Sequence, residues 1–283
     1  MGSTLQPQAL IDMARREGVL TLPPEWEHQE LSPLQGTRRT YRWHGITHVY
    51  DENNFRRATP FPLKRPDVFR IMVVGDSLTY GHGIDERFIY TSLLQNELGK
   101  QYAIEVLNLG VPGYQSEDIL TVIRRFVPEL MPDLLVYGVC LNDFLPSKRG
   151  EYTARGFEFP VPADLERFLY ERTRVARVLA DLYDRSLRVA GLRADFFDDI
   201  LKDFEGYQQR FRRDVSEMNA FVTTHGLPPV VAMVLDQFPS DGGRGHRIAK
   251  AAEGYLKEAG MEVVDTEEYY QRLNGHAMAV SRW

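Results

Sequence analysis

Beyond Pro66 the chain alternates short apolar runs with longer amphipathic segments, and that rhythm leaves few folds open. The run Ile71 to Val74 is continuous, β-branched and apolar, the pattern of a central strand covered on both faces. It predicts a strand over Arg70 to Val74. A helix near Tyr90 to Leu98, stopped by Gly99, and a strand at Ile104 to Leu109 follow. A helix from about Glu117 to Glu129, capped by Ser116, leads to a strand at Leu134 to Val139. After a longer interval come a strand at Val230 to Leu235, a helix at Arg247 to Ala259 stopped by Gly260, and a strand at Met261 to Val264. Repeated β-α-β units of this kind give parallel strands with helices on both faces, a three-layer α/β/α sandwich.

Two regions depart from the rhythm. Residues 1–66 read as an N-terminal arm that packs on the main domain: a short helix from Leu10 to Arg16, an irregular stretch from Pro23-Pro24 to Thr40, then a strand or hairpin over Tyr41 to Tyr50 before the Asp51-Glu52-Asn53-Asn54 turn. Residues 67–283 form the main domain, with a helical insertion at about 145–225. Its first helix, about Ala163 to Val189, is either a lid over the strand ends or an ordinary crossover helix. In the second, Phe204, Tyr207, Phe211, Val215, Met218 and Val222 recur at three- and four-residue spacing and form one apolar stripe.

Composition narrows the function classes. A hydrophobic content of 43% supports a core, and a net charge of −6 lacks the clustered positive charge of a nucleic-acid footprint. Arg172, Arg174 and Arg177 read as the wet face of a helix. A single cysteine, Cys140, forms no internal disulfide, and no Cys/His cluster has zinc spacing. No segment has the length and apolarity of a membrane span or a signal peptide. A cytoplasmic location is the default expectation, although a leader removed in maturation would leave no trace.

Three strand ends carry polar groups suited to acyl transfer. Ser77 follows the first strand in Gly75-Asp76-Ser77-Leu78, at the sheet edge where ligands collect in open parallel sheets. A helix N-cap is the competing reading, since Asp and Ser are favoured there. Gly113 ends the second block, Val106 to Tyr114, where a bare backbone N–H can approach a ligand; it also suits a plain turn. Asn142 ends the third, Leu134 to Asp143, and offers a side-chain amide; it also suits a cap. A hydroxyl that attacks and two N–H donors that stabilise an oxyanion are what acyl transfer needs. A phosphate ligand at this loop is disfavoured, because Asp76 places a carboxylate where an anion would sit. Asp76 reads instead as an acceptor that ties the loop down.

In these blocks the chain resembles the GDSL family, or SGNH hydrolases, over roughly Arg70 to Asp265. The resemblance implies a flavodoxin-like five-stranded parallel sheet. It matches Ser77 to the nucleophile, whose own N–H joins the oxyanion hole, and Gly113 and Asn142 to the other two donors. Cys140 stands where the third block usually has glycine. The family's fourth block, Asp-x-x-His after the fifth strand, supplies the general base and its carboxylate. None follows Val264: Leu273 occupies the aspartate position before His276, and Asp241-Gly242-Gly243-Arg244-Gly245-His246 has other spacing and reads as a loop and helix cap. The sequence therefore reads as stopping short of its catalytic Asp and His; the rival expectation makes His276 or His246 the base. His82 is expected to turn into the loop after Ser77.

The resulting expectation is a serine esterase or acylhydrolase that uses no metal or cofactor and takes a small-molecule or carbohydrate ester. The alternatives are a carbohydrate O-acetyltransferase working from the same site and a non-catalytic binding module on the same fold. Phe144, Tyr152, Phe157 and Phe159 either line an acyl or sugar site or pack the insertion on the core.

Overall fold

The computed structural model describes residues 38–43, 46–51, 53–147, 200–235, 243–264 and 266, with single positions between 179 and 190. The short helix at Leu10 to Arg16, most of the first insertion helix, Tyr152, Phe157, Phe159, Asp241 and His276 lie outside these residues.

A two-stranded antiparallel hairpin comes first, β1 (Arg38–Trp43) and β2 (Ile46–Asp51). Its exit is fixed by Asp51, whose carboxylate accepts from the N–H groups of Asn53 and Phe55. The main sheet then forms from β3 (Phe69–Gly75), β4 (Ile104–Gly110), β5 (Leu134–Val139), β6 (Val231–Val234) and β7 (Glu262–Val264). Their order is β4-β3-β5-β6-β7 and every pairing is parallel, so the connection reverses direction beside β3. This is the flavodoxin-like order, and its switch point lies at the carboxyl end of β3.

Strand periodicity divides the core into two layers. Met72 and Val74 of β3 join Leu107, Leu109, Leu135, Tyr137 and Val139 on one face. That face is covered by α3 (Ser116–Leu130), α4 (Phe204–Thr224) and α5 (Arg244–Glu258). Ile71, Val73 and Val136 face the other way, against Tyr90, Leu94 and Leu98 of α2 (Tyr90–Leu98). The apolar stripe of α4 is seated as its spacing predicts. Phe211, Val215, Met218 and Val222 are fully buried, and Phe204 and Tyr207 pack at its margin. Among the described residues no helix is long and apolar enough to cross a membrane.

Two helix starts differ from the sequence reading. The cap of α3 is Gln115, one residue earlier than Ser116, with Asp118 Oδ2 accepting from the Gln115 N–H at 3.3 Å. Ser116 is drawn elsewhere because its hydroxyl donates to the buried Asp214 carboxylate of α4 at 2.7 Å, a bond that staples the two helices. Helix α5 begins at Arg244, not Arg247, so His246 lies in its first turn and not in a loop.

Candidate active site

Beyond β3 the chain turns at Gly75-Asp76 into a one-turn helix, α1 (Ser77–Tyr80), with Ser77 as its first residue. A single turn has no stability of its own, because nucleation fixes several dihedrals for one hydrogen bond. The surroundings must hold it. Asp76 caps the turn by accepting from the Leu78 N–H at 2.9 Å, and its other oxygen accepts from the Ser77 hydroxyl at 3.2 Å. The residue that caps this turn is therefore Asp76, with Ser77 in the first helical position. Burial pushes the Asp76 carboxyl up, while hydrogen bonds from the Leu78 N–H, the Cys140 thiol and Ser77 act the other way.

A layer of three glycines seats α1 on the sheet. Gly75, Gly110 and Gly138 are in register at the ends of β3, β4 and β5. A Cβ on Gly110 would stand 2.4 Å from the Tyr80 backbone nitrogen, and one on Gly138 2.5 Å from Thr79 Oγ1. Without side chains at these positions the helix lies directly on the strand ends. Thr79, at its middle, is fully buried and its hydroxyl bonds the Tyr90 hydroxyl at 2.9 Å. From the sequence alone Gly75 reads only as a turn residue. An isolated glycine within a strand pattern, as at Gly138, was the available signal for such a close approach.

The other two strand ends meet the first. After β4, Val111 donates its N–H to Gly75 O at 3.0 Å and opens a turn closed by the Tyr114 N–H on Val111 O at 3.2 Å. With Pro112 second and Gly113 third at φ +82°, this is a type II turn, which calls for glycine there. After β5 the chain winds one 3₁₀ turn, Leu141–Phe144, that presents Asn142. Its anchor is Asp143, fully buried, which accepts from the Tyr137 hydroxyl at 2.6 Å and from the Cys140 N–H at 3.1 Å. Asn142 donates its side-chain N–H to Tyr114 O at 3.3 Å, which orients the amide toward the Gly113 turn. Cys140, buried at the glycine position of the third block, joins this turn to Asp76 through its thiol.

Phe144 is fully buried and stacks on Phe211 of α4 at 4.4 Å between centroids. It packs the insertion on the core, so it does not line a substrate site. His82 follows α1 with its ring 5.7 Å from that of His48 on β2.

A model of the GDSL-like lipase/acylhydrolase family matches residues 73–281, a stretch that includes all three strand ends. The chain belongs to this family. Among curated protein sequences, none matches it. Among solved structures it is similar to TesA, at 15% identity and a TM-score of 0.42 over 69% of this chain and 76% of that one. It is also similar to AlinE4, an SGNH-hydrolase family esterase, at 16% identity and 0.42 over 71% and 77%, and to the lipase/acylhydrolase from Enterococcus faecalis, at 14% and 0.42 over 72% and 78%.

Behind the GDSL loop lies a histidine that folding holds neutral. His48 is fully buried, stacked on Tyr80 at 5.6 Å, and burial, the Arg56 charge and His82 lower its pKa from 6.5 to about 3. The unfolded chain therefore binds a proton in this window that the folded one refuses. Stability falls as pH drops from 6.5 toward 3, by up to about 1.4 kcal/mol per unit for one proton. His48→Phe keeps a ring on Tyr80 and removes the titration. Urea midpoints at about pH 7 and pH 5 should then differ less in the variant than in the wild type; an equal drop in both would contradict this assignment.

Proposed function

We propose that this chain is a serine esterase acting through an acyl-enzyme on Ser77. The observation that carries the reading is the convergence of three loops on one sheet edge: the capped Ser77 turn, the Gly113 turn bonded to Gly75, and Asn142 bonded to Tyr114. In this reading Ser77 Oγ adds to the ester carbonyl carbon as its proton passes to a base, and the carbonyl π pair moves onto oxygen. The Ser77 and Gly113 N–H groups and the Asn142 amide stabilise that oxyanion. Collapse expels the alkoxide, which takes the proton from the base, and water then releases the acid by the same steps in reverse order. The Gly113 N–H has no hydrogen-bond partner among the described residues, which leaves it available for this role.

Cleavage of p-nitrophenyl acetate tests the reading. Ser77→Ala should lower the rate on the order of 10³-fold or more while leaving the urea midpoint near that of the wild type. Unchanged cleavage in Ser77→Ala, or none in the wild type, would contradict it. A serine hydroxyl needs a base, and His246→Ala and His276→Ala assayed alongside identify a histidine in that role by a loss as complete as that of Ser77→Ala.

A further inference from the structure

We infer that Arg56 is a positioning residue for Ser77, tying down the carboxyl end of the one-turn helix that the nucleophile begins. This rests on the reading of Ser77 as nucleophile. A four-residue helix leaves almost all of its C=O groups without a regular intrahelical partner. Ser77 O accepts from the N–H groups of Gly81 and His82, both at 3.0 Å, and Leu78 O from Gly81 at 3.3 Å. Thr79 O accepts from the Asn108 side chain at 2.8 Å. At the exit of the turn, among the described residues, Tyr80 O has no main-chain donor and Gly81 O has one, the Ile84 N–H at 3.1 Å, and both carbonyls also meet one side chain. Arg56 Nη1 donates to Gly81 O at 2.7 Å and to Tyr80 O at 3.4 Å, while Nη2 reaches Ile84 O at 2.7 Å.

The choice of an arginine follows from that geometry. Its planar fork spans Gly81 O and Ile84 O at once, which a lysine ammonium on its single point of attachment does less well. The positive charge also suits the carboxyl end of a helix turn. Arg56 is 6% exposed, and its guanidinium carbon sits 5.7 Å over the Tyr80 ring. Gly81 holds φ +74° at the same place, and a Cβ there would meet Ile89 Cγ2 at 2.0 Å, so the exit of the turn is confined from both sides. Arg56 precedes the main sheet by more than a dozen residues and is bridged to Tyr50 of β2, so the segment before β3 contributes directly to the GDSL loop.

The test measures how fast a small fluorophosphonate labels Ser77 in the full chain, with Ser77→Ala as the control for site. Arg56→Ala should slow labelling on the order of 10- to 100-fold, the scale on which a displaced nucleophile loses rate. Added guanidinium ion, below concentrations that unfold the protein, should restore part of that rate in Arg56→Ala and none in the wild type. Arg56→Lys keeps the stem and charge; it should retain a urea midpoint near that of the wild type and still label more slowly. Wild-type labelling rates in a folded Arg56→Ala or Arg56→Lys would overturn the inference and leave the Ser77 reading intact. Absence of Ser77 labelling in the wild type would overturn both.

Discussion

Gly110→Ala should lower stability by about 3 kcal/mol and reduce esterase activity by more than the unfolded fraction explains. The new Cβ would lie 2.4 Å from the Tyr80 nitrogen and 2.7 Å from the Thr79 carbonyl carbon. Both are backbone atoms, so no side-chain rotation relieves the overlap. Either α1 lifts off the strand ends or β4 shifts against β3, and both movements displace Ser77 relative to the Gly113 turn. Gly254→Ala is the matched control: the site lies in α5 with nothing within 4 Å of an added Cβ, and alanine there should hold or raise the midpoint by up to about 1 kcal/mol. Urea titration with ester cleavage on the same samples checks both. Equal midpoints for Gly110→Ala and the wild type would show that the glycine layer does not confine the helix.

Phe211→Ala should cost about 3–5 kcal/mol, the range for truncating a buried aromatic ring. Phe211 is fully buried in α4 and stacks on Phe144 with 20° between the ring planes. The cavity would open beneath the 3₁₀ turn that presents Asn142, so catalysis should weaken as well as stability. Phe211→Leu fills part of the space and should fall between the two. A fall of less than about 1 kcal/mol in the alanine variant would contradict the packing described for this turn.

Sequence patterning carried the sheet because its central strands, β3 and β5, are buried on both faces and read as short apolar runs whose placement depends on hydrophobicity. The strand expected at Arg70 to Val74 runs over Phe69–Gly75, and the helix expected at Tyr90 to Leu98 forms over those residues. Helix starts were less legible because they depend on competition for hydrogen-bond partners. Ser116 is a good cap by residue type, yet Asp214, 98 positions away, takes its hydroxyl. Ser77, Gly113 and Asn142, the residues of the proposed site, were legible as candidates because each ends a strand block. The groups that hold them were not: Gly110 and Gly138 matter only when α1 is laid on the sheet, and Arg56 only when the segment before β3 is brought to Gly81. Phe144 shows the converse, an aromatic next to the site whose partner on α4 takes it into the core.

A nucleophilic Ser77 should form a covalent bond to an electrophilic phosphorus reagent. Intact-mass measurement after treatment with a fluorophosphonate, followed by peptide mapping, tests it most directly because it reads the bond itself. One phosphonyl adduct per chain is expected, on the peptide containing Ser77, and none in Ser77→Ala. No adduct on the folded chain, or an adduct that persists in Ser77→Ala, would contradict it.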